Sequence, residues 1–192
     1  MGQLNEFIFD PTSKELRAVE LYNPAPHPVD LSGWVVSDRQ STMPVFGARI
    51  GDASQIPAGV TIAAGGYQVV TLTQLNRPLQ FGAGPGTVMI GSVMRGNLSS
   101  GYAQSVTLYA PAYGDSIGRV ALQNGGAAYA PQNSTAGAPN SAPLPAPVTM
   151  TKVRLLTDNV GPVQWIELTN RSDVAIPLYA PGAPAETWMI DG

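Results

Sequence analysis

The chain has 192 residues, 44% of them hydrophobic and 12% charged, no cysteine, and a formal net charge of −3. That length suits one or two domains with a real core, and the missing thiols exclude disulfides, thiolate nucleophiles and cysteine-based zinc sites. The scattered, net negative charge gives no basic stripe for nucleic acid, and no apolar run is long enough to span a bilayer as a helix.

The 21 glycines and 18 prolines recur at intervals, which punctuates short strands more readily than helices. After Met1-Gly2 the chain runs straight into Leu4-Asn5-Glu6-Phe7-Ile8-Phe9, with no signal-peptide pattern, and this apolar run stops at the turn signal Asp10-Pro11. Ser13 to Ala18 carries helix formers behind a capping serine. The equivalent point later in the chain, Val163-Gln164-Trp165-Ile166, favours a strand instead. Val19 and Leu21 alternate with Glu20 and Tyr22 until Asn23-Pro24 breaks the run. Trp34-Val35-Val36 follows Ser32-Gly33, and Ile56 to Ile62 reads as a turn entering a strand. Tyr67 to Leu72 is a further strand, with a short helical turn expected near Thr73 to Arg77. Val88 to Ile90 is brief, Ser105 to Tyr109 alternates cleanly, and Ile117 to Leu122 is the last strand before Asn124-Gly125-Gly126.

Short alternating strands between regularly spaced turns predict an all-β chain, specifically a β-sandwich, because each strand has one apolar face that a second sheet can cover. Trp34 is the expected central core residue, since an indole removes a large apolar area from water on burial.

The chain also nearly repeats itself. Val19-Glu20-Leu21-Tyr22-Asn23 recurs as Ile166-Glu167-Leu168-Thr169-Asn170. Each is followed by an apolar hook (Val29-Asp30-Leu31; Ile176-Pro177-Leu178) and a tryptophan run closing on an acid (Trp34 to Asp38; Trp188 to Asp191). The order is kept and the spacing is not, so the copies share an architecture rather than a period. Between them, residues 128–149 are rich in proline and alanine. Pro131 to Asn140 is expected to lie along the first domain as its closing segment, and the stretch that follows to be a semi-rigid linker. The expected organisation is a complete domain over 1–141, a linker over 142–149, and the opening part of a second unit over 150–192, a short extra β segment. Its few strands cannot cover their own apolar faces. They are therefore expected to pack on the first domain or to pair with another copy as a homodimer.

Three segments together resemble the lamin-tail domain family: Leu4-Asn5-Glu6-Phe7, Val19 to Pro24, and Pro28-Val29-Asp30-Leu31-Ser32-Gly33-Trp34-Val35-Val36-Ser37-Asp38. Ile56-Pro57-Ala58-Gly59-Val60, Ala64-Gly65-Gly66-Tyr67, Val106-Thr107-Leu108-Tyr109 and the ending Ala136-Gly137-Ala138-Pro139-Asn140 extend the resemblance over residues 3–141. It implies an immunoglobulin-like β-sandwich without catalysis of its own, in a bacterial setting, since no coiled-coil rod is present. The first unit departs from the family's aromatic before the Glu-Leu strand, with Ala18 where the second unit has Trp165. The second unit has no Asn-Glu opening and reads Lys152-Val153-Arg154-Leu155-Leu156.

Candidate chemistry is sparse. His27, the sole histidine, sits between two prolines in an expected exposed turn, and one histidine without cysteine makes neither a triad nor a histidine-rich metal site. Gly82-Ala83-Gly84-Pro85-Gly86 lacks the Lys-Ser/Thr of a phosphate loop. Asp30, Asp38, Asp52 and Asp115 would have to meet at one end of the sandwich to hold calcium, and no Asp-x-Asp-x-Asp run supports that. Asn5 and Glu6 are read as satisfying backbone groups at the sandwich edge rather than as ligands. Glu20 and Glu167 are either solvated or, if buried, hydrogen-bonded. Tyr22, Tyr67, Tyr102, Tyr109 and Tyr113 include outward-facing positions on which a sugar ring or protein partner could stack.

The sequence therefore predicts a non-catalytic interaction or structural module of a larger, exported bacterial protein, extracellular or at the cell surface. No catalytic residue, metal or cofactor is assigned, and the binding residues are unknown. The alternative is a carbohydrate-binding module, so the expected partner is a protein or a polysaccharide, with no nucleic acid and no membrane span.

Overall fold

Alternating polarity turns into strand pairing across the described residues. The computed structural model describes residues 2–37, 54–75, 86–94, 97–111, 113–158, 161–171 and 175. The chain divides into two compact units, Met1–Leu144 and Pro145–Gly192. The first unit holds β1 (Gln3–Phe9), β2 (Leu16–Tyr22), β3 (Val29–Asp30), β4 (Val35–Ser37), β5 (Ser54–Gln55), β6 (Thr61–Ile62), β7 (Tyr67–Thr71), β8 (Gly86–Met94), β9 (Asn97–Leu108), β10 (Ser116–Ala121) and β11 (Ala127–Gln132). One sheet runs β11-β10-β1-β2-β7 and a second runs β5-β4-β8-β9, with β3-β6 as a small separate pair. All pairings are antiparallel.

The two larger sheets bury one shared core. Phe7, Phe9, Val19, Leu21, Val70 and Ile117 from the five-stranded sheet cluster with Val36, Val88, Ile90, Val106 and Leu108 from the four-stranded one. Each such side chain contributes on the order of 1.5–3 kcal/mol when taken fully from water. This is the sandwich that the alternation predicts, of the immunoglobulin-like type that the resemblance implies. Trp34 belongs to the cluster at 8% exposure, its ring tilted against Tyr102 at 5.6 Å. Backbone bonds from Gly33 N–H to Ile56 O and from Ile56 N–H to Trp34 O fasten the segment that carries it. Gly33 makes the preceding turn at φ +72°, a conformation that suits glycine.

Two local expectations and one unexpected strand resolve in physical terms. The ambiguous Ser13–Ala18 stretch is a turn that passes into β2 at Leu16. Asp10 caps it by accepting the N–H groups of Thr12 and Ser13 and pairs with Arg17, while Lys14 takes the left-handed conformation at φ 59°. The expected helical turn is a single 3-10 turn over Leu72–Gln74. β11 is a strand that the sequence did not suggest. It lies at a sheet edge, where Pro131, lacking an N–H, is tolerated. Leu144 N–H donates to Pro131 O, so the chain is tied to the first unit up to that residue.

The second unit is an antiparallel hairpin of β12 (Val148–Asp158) and β13 (Gly161–Asn170). β12 begins inside the stretch expected to be linker. Asp38, Asp52, Ile176 to Leu178, Trp188 and Asp191 lie outside the described residues, as does most of the Gly82–Gly86 loop.

Candidate functional site

The densest polar cluster among the described residues lies where β1 meets β2, and a bulge creates it. Leu4 pairs with Leu21 and Glu6 with Glu20, leaving Asn5 as the extra residue. Leu4 and Phe7 join the core, while Asn5 and Glu6 between them reach the closing segment. Two carboxylates thus face one another across neighbouring strands, both fully buried. A buried, unpaired carboxylate is costly, so the donors around this pair hold the local structure together.

The donors come mostly from residues 132–140. Glu6 Oε1 accepts from Gln132 Nε2 and from the Thr135 N–H, both at 3.0 Å, and Oε2 accepts from Thr135 Oγ1 at 3.3 Å. Glu20 Oε1 accepts from Asn5 Nδ2 at 2.7 Å, and its Oε2 accepts from the Gly137 N–H. Asn5 Nδ2 also donates to Asn140 Oδ1 at 2.9 Å, and Asn140 Nδ2 donates to Arg119 O at 2.9 Å and Asn5 O at 3.1 Å. Asp115 Oδ1 takes the Ser134 N–H at 2.6 Å. The segment from Ser134 to Asn140 is therefore a strap, laid over the five-stranded sheet and stitched to it through carboxylates. Hydrogen bonds to charged groups contribute about 1.5–3 kcal/mol each.

Burial raises the Glu20 carboxyl above its ordinary value. The bonds from Gly137 and Asn5 work against that shift, and the neighbouring Glu6 charge adds to it. Gly118 pairs with Glu6, and the Gln132 side chain lies across it where a Cβ would stand. Glycine there is what lets Gln132 reach Glu6. Beside the bulge, Tyr129 donates to Leu4 O at 2.9 Å, and its hydroxyl pKa is pushed up to about 12, chiefly by burial. Leu4 N–H in turn donates to Gln104 Oε1 at 2.8 Å.

The other sequence candidates are dispersed. His27 is exposed, and its carbonyl accepts from Asn23 Nδ2. Asn23 also donates to Ile62 O and Ala63 O, so this buried residue clamps the turn after β2. Asp30 is exposed, and bonds from the Ser32 side chain and backbone hold its carboxyl below the usual range. Asp115 serves the strap. Among the described residues, no group of three histidine, aspartate or glutamate side chains is placed to hold a metal.

The tyrosines do not form one row. Tyr22 and Tyr67 stack at 4.9 Å on β2 and β7, Tyr102 turns inward against Trp34, and Tyr109 is 62% exposed just past β9. Glu167, unlike Glu20, is exposed and accepts from Thr151 Oγ1. Sequence reasoning missed Gln132, Tyr129 and Gln104. It found the Ala138-Pro139-Asn140 ending without the carboxylates that the strap serves. Glu6 and Glu20 are 14 residues apart in the chain, so only a known pairing register brings them together.

The fold and this stitched strap define the class as an immunoglobulin-like β-sandwich closed by its own C-terminal segment. The family model of the lamin tail domain matches residues 3–128. The chain belongs to the lamin tail domain family, whose immunoglobulin-like members are generally non-catalytic interaction modules. No curated protein and no solved structure matches the chain.

Proposed function

We propose that the chain is a non-catalytic interaction and structural module of a larger exported bacterial protein, working outside the cell or at its surface. One observation carries the non-catalytic reading. The polar side chains gathered in the first unit, Asn5, Glu6, Glu20, Gln132 and Asn140, are occupied in fastening the strap. A general acid or base must reach a substrate proton, and both carboxylates here have no solvent access. The test is a hydrolase screen of the chain with and without divalent metals, beside Glu20→Gln and Glu6→Gln variants. The expected result is no turnover in any of them. Turnover that disappears in either variant would overturn the reading.

A carbohydrate-binding role is the second reading, favoured by the half-buried Tyr22–Tyr67 stack at the β7 edge and by the exposed Tyr109. Aromatic faces of this kind suit sugar rings. Glycan-array binding lost on Tyr67→Ala would support it, and silence across cell-wall polysaccharides would remove it. Export is tested by fractionating the native host, where recovery only from the cytoplasm would contradict it.

A further inference from the structure

Among the described residues, the five-stranded sheet ends on β7, outermost beside β2. The run Tyr67-Gln68-Val69-Val70-Thr71-Leu72 holds no charge, no proline and no glycine. Its pairing with β2 runs from Tyr22 opposite Tyr67 to Ala18 opposite Thr71 without a bulge. Short uncharged segments rich in β-branched and aromatic residues readily pair with identical strands. Sheets ordinarily guard such an edge with charge, proline, a bulge or a cover. The opposite edge has two of these: Pro131 stands in β11, and the Leu144 N–H is bound to Pro131 O.

One bond fixes which way the β7 backbone points. The Asn23 N–H donates to Gly66 O at 3.0 Å, one step beyond the Tyr22–Tyr67 pair, so Asn23 and Gly66 are a hydrogen-bonded pair. Such pairs alternate along an antiparallel ladder. Gln68 and Val70 therefore turn their backbone groups toward β2, and Tyr67, Val69 and Thr71 turn theirs outward. Two side chains occupy that outward row. Gln68 Nε2 donates to Val69 O, and the Thr71 N–H donates to Gln74 Oε1, each at 2.8 Å. Gln68 stands opposite the core residue Leu21, so it lies on the core side of the sheet and curls round the edge to reach that carbonyl. Gln74 reaches back from the 3-10 turn that follows β7. An incoming antiparallel strand bonds through both groups of every second residue. At Val69 it meets an acceptor already taken, and at Thr71 a donor already taken.

We propose that Gln68 and Gln74 guard the β7 edge against a second copy of this chain. A copy is the occupant that this strand fits, because a two-fold antiparallel pairing centred on Val69 sets Tyr67 of each chain against Thr71 of the other. That pairing meets each guard twice. The side chains thus do at β7 what proline and the tied chain do at β11.

The test is sedimentation velocity of the whole chain beside a Gln68→Ala/Gln74→Ala variant. Releasing both guards in both copies should tighten self-association by about tenfold or more over the unaltered chain. Adding Val69→Pro should abolish the gain, since it removes an outward donor and no bond to β2. In the unaltered chain, amide exchange should be fast at Tyr67 and Val69 and slow at Thr71. Association of the variant no tighter than that of the unaltered chain overturns the proposal. So does a gain that survives Val69→Pro, which would trace it to a loosened fold. Independently of how the variant folds, a Val69 amide as protected as that of Val70 in the unaltered chain overturns it, and so does a Thr71 amide that exchanges as fast as Val69.

Discussion

Every position in Val19-Glu20-Leu21-Tyr22-Asn23 has a separate physical task. Val19 and Leu21 fill the core, Glu20 holds the strap, Tyr22 stacks on Tyr67, and Asn23 ties down the following turn. Glu20→Ala would strand the Gly137 N–H and one of the two Asn5 Nδ2 hydrogens, the other staying on Asn140. Each buried, unsatisfied group costs about 1–3 kcal/mol, a loss that chemical denaturation would read directly. Glu20 also predicts a pH dependence. Its folded-state pKa is raised above the ordinary 4.5, chiefly by burial, so the folded chain holds that proton more tightly than the unfolded one. The resulting stabilisation is present below the ordinary value and is lost as pH rises through the raised one. Thermal melts from acidic to neutral pH should show that fall in the unaltered chain and a smaller one in Glu20→Gln. At Gly118, a methyl group displaces Gln132 from Glu6, so Gly118→Ala should cost about 1–3 kcal/mol. In a Gln132→Ala background the same substitution should cost less, and additive losses would refute the contact.

At the scale of elements, the strands were legible wherever side chains alternate against a core. The edges were not. β11 reads Ala-Ala-Tyr-Ala-Pro-Gln, and its place comes from backbone pairing with β10 and from Gln132 reaching Glu6, neither of which composition announces. β8 extends well past the three apolar residues that marked it, because its pairing with β9 continues on both sides of them. The bulge at Asn5 was equally hidden, since an extra residue leaves no periodic trace until the partner strand is known. The strap was half legible: its course over the first domain was expected, and its anchors were not. Asn140→Ala removes donors to Arg119 O and Asn5 O and an acceptor for Asn5 Nδ2. It should lower stability by about 1–3 kcal/mol and speed proteolysis within 133–141 before the sheets yield.

At the scale of the whole molecule, the first unit's buried cluster among the described residues runs from Leu4 to Ile117, with Tyr129 packed against it, and its strap ends before the unit's limit at Leu144. A chain ending at Leu144 should therefore unfold cooperatively, with a melting temperature within a few degrees of the full chain. The family was readable from the motifs around Trp34. The site was not, because its two carboxylates become one cluster only after folding. The most direct measurement of the central claim, that the buried carboxylates serve closure rather than chemistry, is residue-resolved amide hydrogen exchange at Thr135 and Gly137. Both lie in a segment without strand pairing, yet each donates to a buried carboxylate. Slow exchange is expected at both, accelerated selectively at Gly137 by Glu20→Ala and at Thr135 by Glu6→Ala. Exchange at open-loop rates in the unaltered chain, with the sheet amides still protected, would contradict it.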